Sequence, residues 1–180
     1  MEFQDSPGHE HKVLPDGIHE MTEEEFHNRF CMAFPSSKTR PVIDARYAKF
    51  RKGLASIISS RHWVDGSFVE DKINPNDVDI VVWVDSGQYN ALSEDRRGML
   101  DRIFDVEKRQ VERKVHAHLE PSRQFDDAQY AYYRLKCDYW RKWYGTVKTT
   151  GDSKGIVSLS FGTPNKPAPI VPDPWGNEND

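Results

Sequence analysis

The run Val78-Asp79-Ile80-Val81-Val82-Trp83-Val84 constrains this chain most, because β-branched and aromatic residues packed this densely favour a pleated strand. The side-chain period of a strand is two. Val78, Ile80, Val82 and Val84 then share one face, while Asp77 and Asp79 project together from the other with Cα atoms about 6–7 Å apart. Two carboxylates so placed raise each other's proton affinity, and a divalent cation is one remedy. Their oxygens suit hard Mg²⁺. Eleven residues earlier, Gly66 permits an unusual backbone turn, and Ser67 adds a hydroxyl and an N–H group able to meet phosphate oxygens. The same residues also read as an ordinary Gly-Ser turn, a capping Asp77 and a solvent-facing Asp79.

Around this strand the sequence describes one α+β domain with a mixed β-sheet flanked by helices. Thr22 and Glu25 form a capping-box pattern opening a helix over 23–30, with Phe26 and Phe30 on its buried side. A second helix is expected from Pro41 onward, with Ile43, Tyr47, Phe50, Leu54, Ile57 and Ile58 at three- and four-residue intervals. "HWVDGSFV" reads as a strand entering a tight turn, and "INPND" as loop because Pro75 biases Asn74 away from the helical region. Ser93 caps a helix over about 94–112 that offers Met99, Leu100, Ile103, Phe104 and Val111 to the core. "KVHAHLE" alternates as a strand, with Val115, Ala117 and Leu119 opposed to His116, His118 and Glu120. An aromatic helix over about 127–143 and a final strand "IVSLSF" follow, joined by the loop "GTVKTTGDSKG". The order of elements fits a mixed sheet better than a regular parallel βαβ array.

The ends read differently. Residues 1–12 have few apolar side chains and are expected to be mobile or loosely attached; the ordered domain is expected over 13–161. Residues 162–180 are rich in proline and read as an extended or disordered tail.

Composition narrows the function classes. A formal charge of −4 argues against a general polyanion binder. With Cys31 and Cys137 alone, and no CxxC or HExxH, neither a disulfide framework nor a zinc site is assigned, the two histidines of "HAH" included. The polar N-terminus and the lack of a long apolar run point to a soluble, cytoplasmic protein with no membrane partner. "TTGDSKG" lacks the P-loop pattern. "YAYYRLKCDYWRKWYG" reads first as an amphipathic core helix with snorkelling basic side chains, and secondarily as an RNA-binding surface. The oligomeric state is left open by the residues.

"GS", nine residues, then "DVDIVV" resembles the signature of the DNA polymerase β-like nucleotidyltransferase superfamily, especially its minimal members. "LPDGIHEMTEEEF", "VDGSFVEDKINPNDVDIVV" and "YWRKWYGTVKTTGDSKGIVSL" together look like a small prokaryotic family of uncharacterised function assigned to that superfamily, over residues 13–161. The resemblance implies a nucleotidyltransferase-like fold in which Gly66 and Ser67 hold nucleotide phosphates and Asp77 and Asp79 bind Mg²⁺. It also implies a third acid on a neighbouring strand. Glu120 is the only carboxylate on the relevant face of "KVHAHLE", so it is the candidate third ligand or general base, with His118 as the alternative and His116 or His118 in the usual acid's place. Lys72 and Lys154 are candidates for triphosphate contact. The implied activity is transfer of NMP from an NTP to a protein, RNA or small-molecule acceptor, in a setting such as toxin–antitoxin or phage defence. The rival expectation is a degenerate binding module, an antitoxin or regulatory partner, that keeps the fold without the third acid.

Overall fold

A computed structural model describes residues 2–104, 114–122 and 129–162. Its five-stranded mixed sheet runs β1-β5-β2-β3-β4, with β1 at Gly17–Glu20, β2 at Ser60–Asp65, β3 at Val78–Asp85, β4 at Val115–Ser122 and β5 at Gly155–Phe161. β3 pairs antiparallel with β2 and parallel with β4; β5 pairs antiparallel with β2 and parallel with β1. Parallel neighbours need a crossover. Between β3 and β4 the described part of that crossover contains two helices, α3 at Ser86–Asn90 and α4 at Glu94–Ile103.

The alternation of β3 divides the interior into two cores. Val78, Ile80, Val82 and Val84 pack with Phe26, Ile43, Tyr47, Phe50 and Leu54, which come from α1 (Glu23–His27) and α2 (Arg40–Ala55). Val81 and Trp83 point the other way. They meet Trp63, Tyr133, Cys137, Trp140 and Tyr144, the last four from α5 (Tyr130–Tyr144) at four- and three-residue steps. Helices therefore cover both faces of the sheet, which explains why β3 is apolar almost throughout.

Local expectations largely hold. Thr22 and Glu25 form both arms of the capping box, and the Ser93 side chain accepts from the Arg96 N–H. Val115, Ala117 and Leu119 face the first core, while the His118 ring lies 4.7 Å from Trp140 on the second. Both cysteines are buried thiols.

Other features depart from the expectations. α1 stops at His27 and continues as a π-helical turn over Asn28–Met32, where the Ala33 N–H donates to the Asn28 carbonyl. α2 ends at Ala55, though Ile57 and Ile58 just beyond it are buried as expected. Met99, assigned to the core, is 43 % exposed. β1 went unanticipated because "GIHE" is short and half polar; it exists through its ladder with β5. Residues 2–12 make specific contacts with the domain: Gln4 bridges Val13, Phe3 packs on the first core, and the buried Ser6 donates to Asp152 at 2.7 Å. Val111, the start of the aromatic helix at 127 and the proline-rich tail from 163 onward lie outside the described residues. No helix among the described residues is long and apolar enough to cross a membrane.

Candidate functional site

Strand β2 ends at Asp65, and Gly66 then turns the chain with φ +80° into a short 3₁₀ turn over Ser67–Val69. That left-handed value suits glycine, and space demands it as well: a Cβ at Gly66 would overlap Asp79 Oδ2. Asp79 thus lies against bare backbone. Phe68 and Val69 anchor the turn in the core, while Ser67 stays half-buried.

The turn is held from below by Arg40. This fully buried guanidinium donates to the carbonyls of Phe30, Phe68, Glu70 and Lys72 at 2.6–2.7 Å, and Phe34 stacks on it at 3.8 Å. Burial lowers its pKa to about 10, which leaves it charged at neutral pH. Lys72 enters this framework through its carbonyl, which accepts from Arg40.

Asp77 and Asp79 converge as expected. A single atom, His116 Nδ1, lies 3.3 Å from Asp79 Oδ1 and 3.6 Å from Asp77 Oδ2, so both carboxylates address a common point. His116 is there because the parallel register sets it beside Asp79. Burial first, then the neighbouring Asp77, raises the pKa of Asp79, with His116 and Lys148 pulling the other way. This is the electrostatic cost of two like charges sharing a partly dry site.

A further acid stands on the other side. The antiparallel register pairs Asp65 with Asp79, and Asp65 is buried and ion-paired, with Lys154 Nζ 2.9 Å from its Oδ1. Burial pushes the Asp65 carboxyl up to about 6, against Lys154 and the Gly66 N–H, with Asp79 adding to the rise. Lys154 also donates to Glu70 at 3.0 Å. It is a buried counter-ion to two acids.

Glu120 does not reach the acids. Its register partner is Trp83, four residues along β3 from Asp79, or about 13 Å. There it accepts from Trp140 Nε1 at 2.9 Å and Lys136 Nζ at 3.2 Å, which satisfies a buried carboxylate far from the Asp77/Asp79 focus. The nearby groups that sequence reasoning missed are Asp65 and Lys148. Asp65 directly precedes the Gly-Ser turn, a signal that becomes readable once β2 and β3 are taken as antiparallel neighbours.

Beside the acids opens a pocket of about 200 Å³ lined by Asp65, Asp79, His118, Tyr139, Trp143 and Lys148, among others. Tyr139 and Trp143, 52 % and 49 % exposed, stack with centroids 6.2 Å apart and planes within 9°. Lys148 covers Trp143 at 4.5 Å. A larger hollow of about 320 Å³, lined by Asp138, Arg141, Lys142 and Lys154 among others, contains none of Asp65, Asp77 and Asp79. The smaller pocket is the candidate site because acids, aromatic rings and a cation meet there.

The donor set fits a divalent cation in one respect: both acids lie near one point. His116 Nδ1 occupies that point, so a cation held by Asp77 and Asp79 would require the imidazole either to turn aside or to become a ligand.

No curated protein and no solved structure matches the chain. A family model does match residues 7–160, which include the Gly-Ser turn, both aspartates and all five strands except the last residue of β5. The chain therefore belongs to the Family of unknown function (DUF6932).

Proposed function

We propose that the protein has a nucleotidyltransferase-like fold and binds a nucleoside triphosphate with Mg²⁺ on the Asp77/Asp79 face, transferring NMP to a hydroxyl of a protein, RNA or small-molecule acceptor. The observation that carries this reading is the convergence of Asp77 and Asp79 beside the positive-φ Gly66. Asp77 and Asp79 would hold the cation. When bound, Mg²⁺ supplies charge neutralisation at the phosphates and a template for in-line displacement. The N–H groups and hydroxyl of the Gly66-Ser67 turn would receive phosphate oxygens. Tyr139 and Trp143 offer a stacking surface for the base, and Lys148 a positive charge at its edge. At about 200 Å³ the pocket is base-sized, so the triphosphate would lie along its rim toward Gly66. As the acceptor oxygen bonds to the α-phosphorus and pyrophosphate departs, His116 is the group next to the acids able to take the hydroxyl proton.

The position of His116 also favours a second reading. An imidazole lodged between two acids can stand in for the cation, which is what a binding module descended from an enzyme would retain. Calorimetry of NTP with and without Mg²⁺, paired with labelled-nucleotide transfer, separates the two. Metal-dependent binding and transfer, both lost in Asp77→Asn/Asp79→Asn, is the expected result. Absence of metal-dependent binding would sink the enzyme reading, and transfer unchanged in the double variant would refute the site.

A further inference from the structure

On the face of α2 away from the sheet acids, three metal-ligating side chains meet. One ligand atom each from His27, Cys31 and Asp44 lies within 4.8 Å of the others. They come from the end of α1, the π-helical turn and the first turns of α2. Asp44 is 8 % exposed, and only half its carboxylate is used: Oδ2 is 2.8 Å from His27 Nδ1, while Oδ1 is buried with no hydrogen-bond partner. A carboxylate oxygen left unsatisfied inside a protein is costly, because burial removes its water without supplying a donor. Cys31 is buried beside it, and His27 is 42 % exposed, so the cluster opens to water on one side. The π turn that carries Cys31 is a rare helical irregularity, frequent at functional sites.

We propose that His27, Cys31 and Asp44 form a transition-metal site, selective for Zn²⁺ over Mg²⁺, with water as the fourth ligand. A thiolate, an imidazole and a carboxylate make a borderline-soft donor set that suits zinc and that hard Mg²⁺ avoids. Tetrahedral zinc with these donors needs ligand atoms about 3.3–3.8 Å apart. The cluster reaches this by opening the His27–Asp44 hydrogen bond by about half an ångström and drawing the widest pair in by about one. On binding, the Cys31 thiol proton passes to solvent and the sulfur bonds the metal; His27 gives up the Nδ1 proton it shares with Asp44 Oδ2 and carries its proton on Nε2 instead, so that the Nδ1 lone pair and an Asp44 oxygen complete the protein ligands. The site clamps the π turn to α2, and it shares no residue with the acids of β3.

Co²⁺ titration of the full chain, after removal of bound metal, is the direct test. One equivalent is expected to produce a thiolate-to-cobalt charge-transfer band with intense four-coordinate visible bands, and one equivalent of Zn²⁺ should abolish both. His27→Gln, at a half-exposed position that need not disturb folding, should weaken Co²⁺ at least about 10-fold, and Cys31→Ser should remove the charge-transfer band. Asp77→Asn/Asp79→Asn should leave the spectrum unchanged, which keeps failure here distinct from failure of the nucleotide site. Absence of the band in the wild-type chain, or equal Zn²⁺ affinity in wild type and His27→Gln, would overturn the proposal.

Discussion

His62 is enclosed on every side: Nδ1 meets the Tyr47 hydroxyl and Nε2 the Ser60 hydroxyl, both at 2.9 Å, and the ring lies 4.6 Å from Phe161. Either neutral tautomer is satisfied, since each hydroxyl can donate or accept. Burial, reinforced by the nearby Arg51 charge, lowers its pKa from 6.5 to about 3. The unfolded chain then binds a proton that the folded chain refuses. His62 therefore leaves stability intact above about pH 6.5 and erodes it as pH falls from there toward 3, with a slope approaching about 1.4 kcal/mol per pH unit. Urea unfolding between pH 7 and about pH 4 should show that slope in the wild-type chain and a flatter one in His62→Gln. Equal slopes would mean that His62 is not the group responsible.

Among the elements, α2 matters beyond its apolar stripe because Arg40, at its start, gathers carbonyls from the π turn, the Gly-Ser turn and the loop before β3. Those acceptors have no other reason to point inward together. Arg40→Met would fill similar space but strand several buried carbonyls, and a loss of about 3–5 kcal/mol is expected by chemical denaturation. A change below about 1 kcal/mol would show that water replaces the guanidinium readily. Arg40 also marks what a linear reading can and cannot reach. The helix was legible from Ile43, Tyr47, Phe50 and Leu54, because periodicity is local, and β3 from its β-branched run. Nothing local says that one arginine turns inward. The site divides in the same way: Asp77 and Asp79 share a face by the pleat alone, so their pairing was readable. Whether His116 or Glu120 stands opposite depends on strand register, which is fixed by packing on both faces of the sheet. β1 was invisible for the same reason, since its partner lies at the far end of the chain.

At the level of the whole molecule, the N-terminal segment belongs to the fold. Phe3 packs against Phe30 and Phe34, Ser6 joins Thr150 and Asp152, and His9 reaches Glu70 at 3.4 Å. From Glu70 the chain of contacts passes through Lys154 to Asp65, at 3.0 and 2.9 Å, and so to the edge of the candidate site. Burial alone would raise the Glu70 pKa, but Lys154 and His9 outweigh it and hold it low. Deleting residues 2–12 should cost about 2 kcal/mol and lower Tm by about 4–8 °C, read by thermal unfolding at constant pH. An unchanged Tm would show that these contacts contribute nothing net.

The strand order also sets a schedule for synthesis. β2 is flanked by β3, which follows it closely, and by β5, which ends at Phe161. Until that last strand has left the ribosome, β2 presents an open row of backbone donors and acceptors, and Val157, Leu159 and Phe161 are missing from the first core. Each emerging molecule thus spends most of its synthesis with a half-built sheet whose exposed edge is a template for wrong partners. The residues that close it are among the last of the described chain to be made.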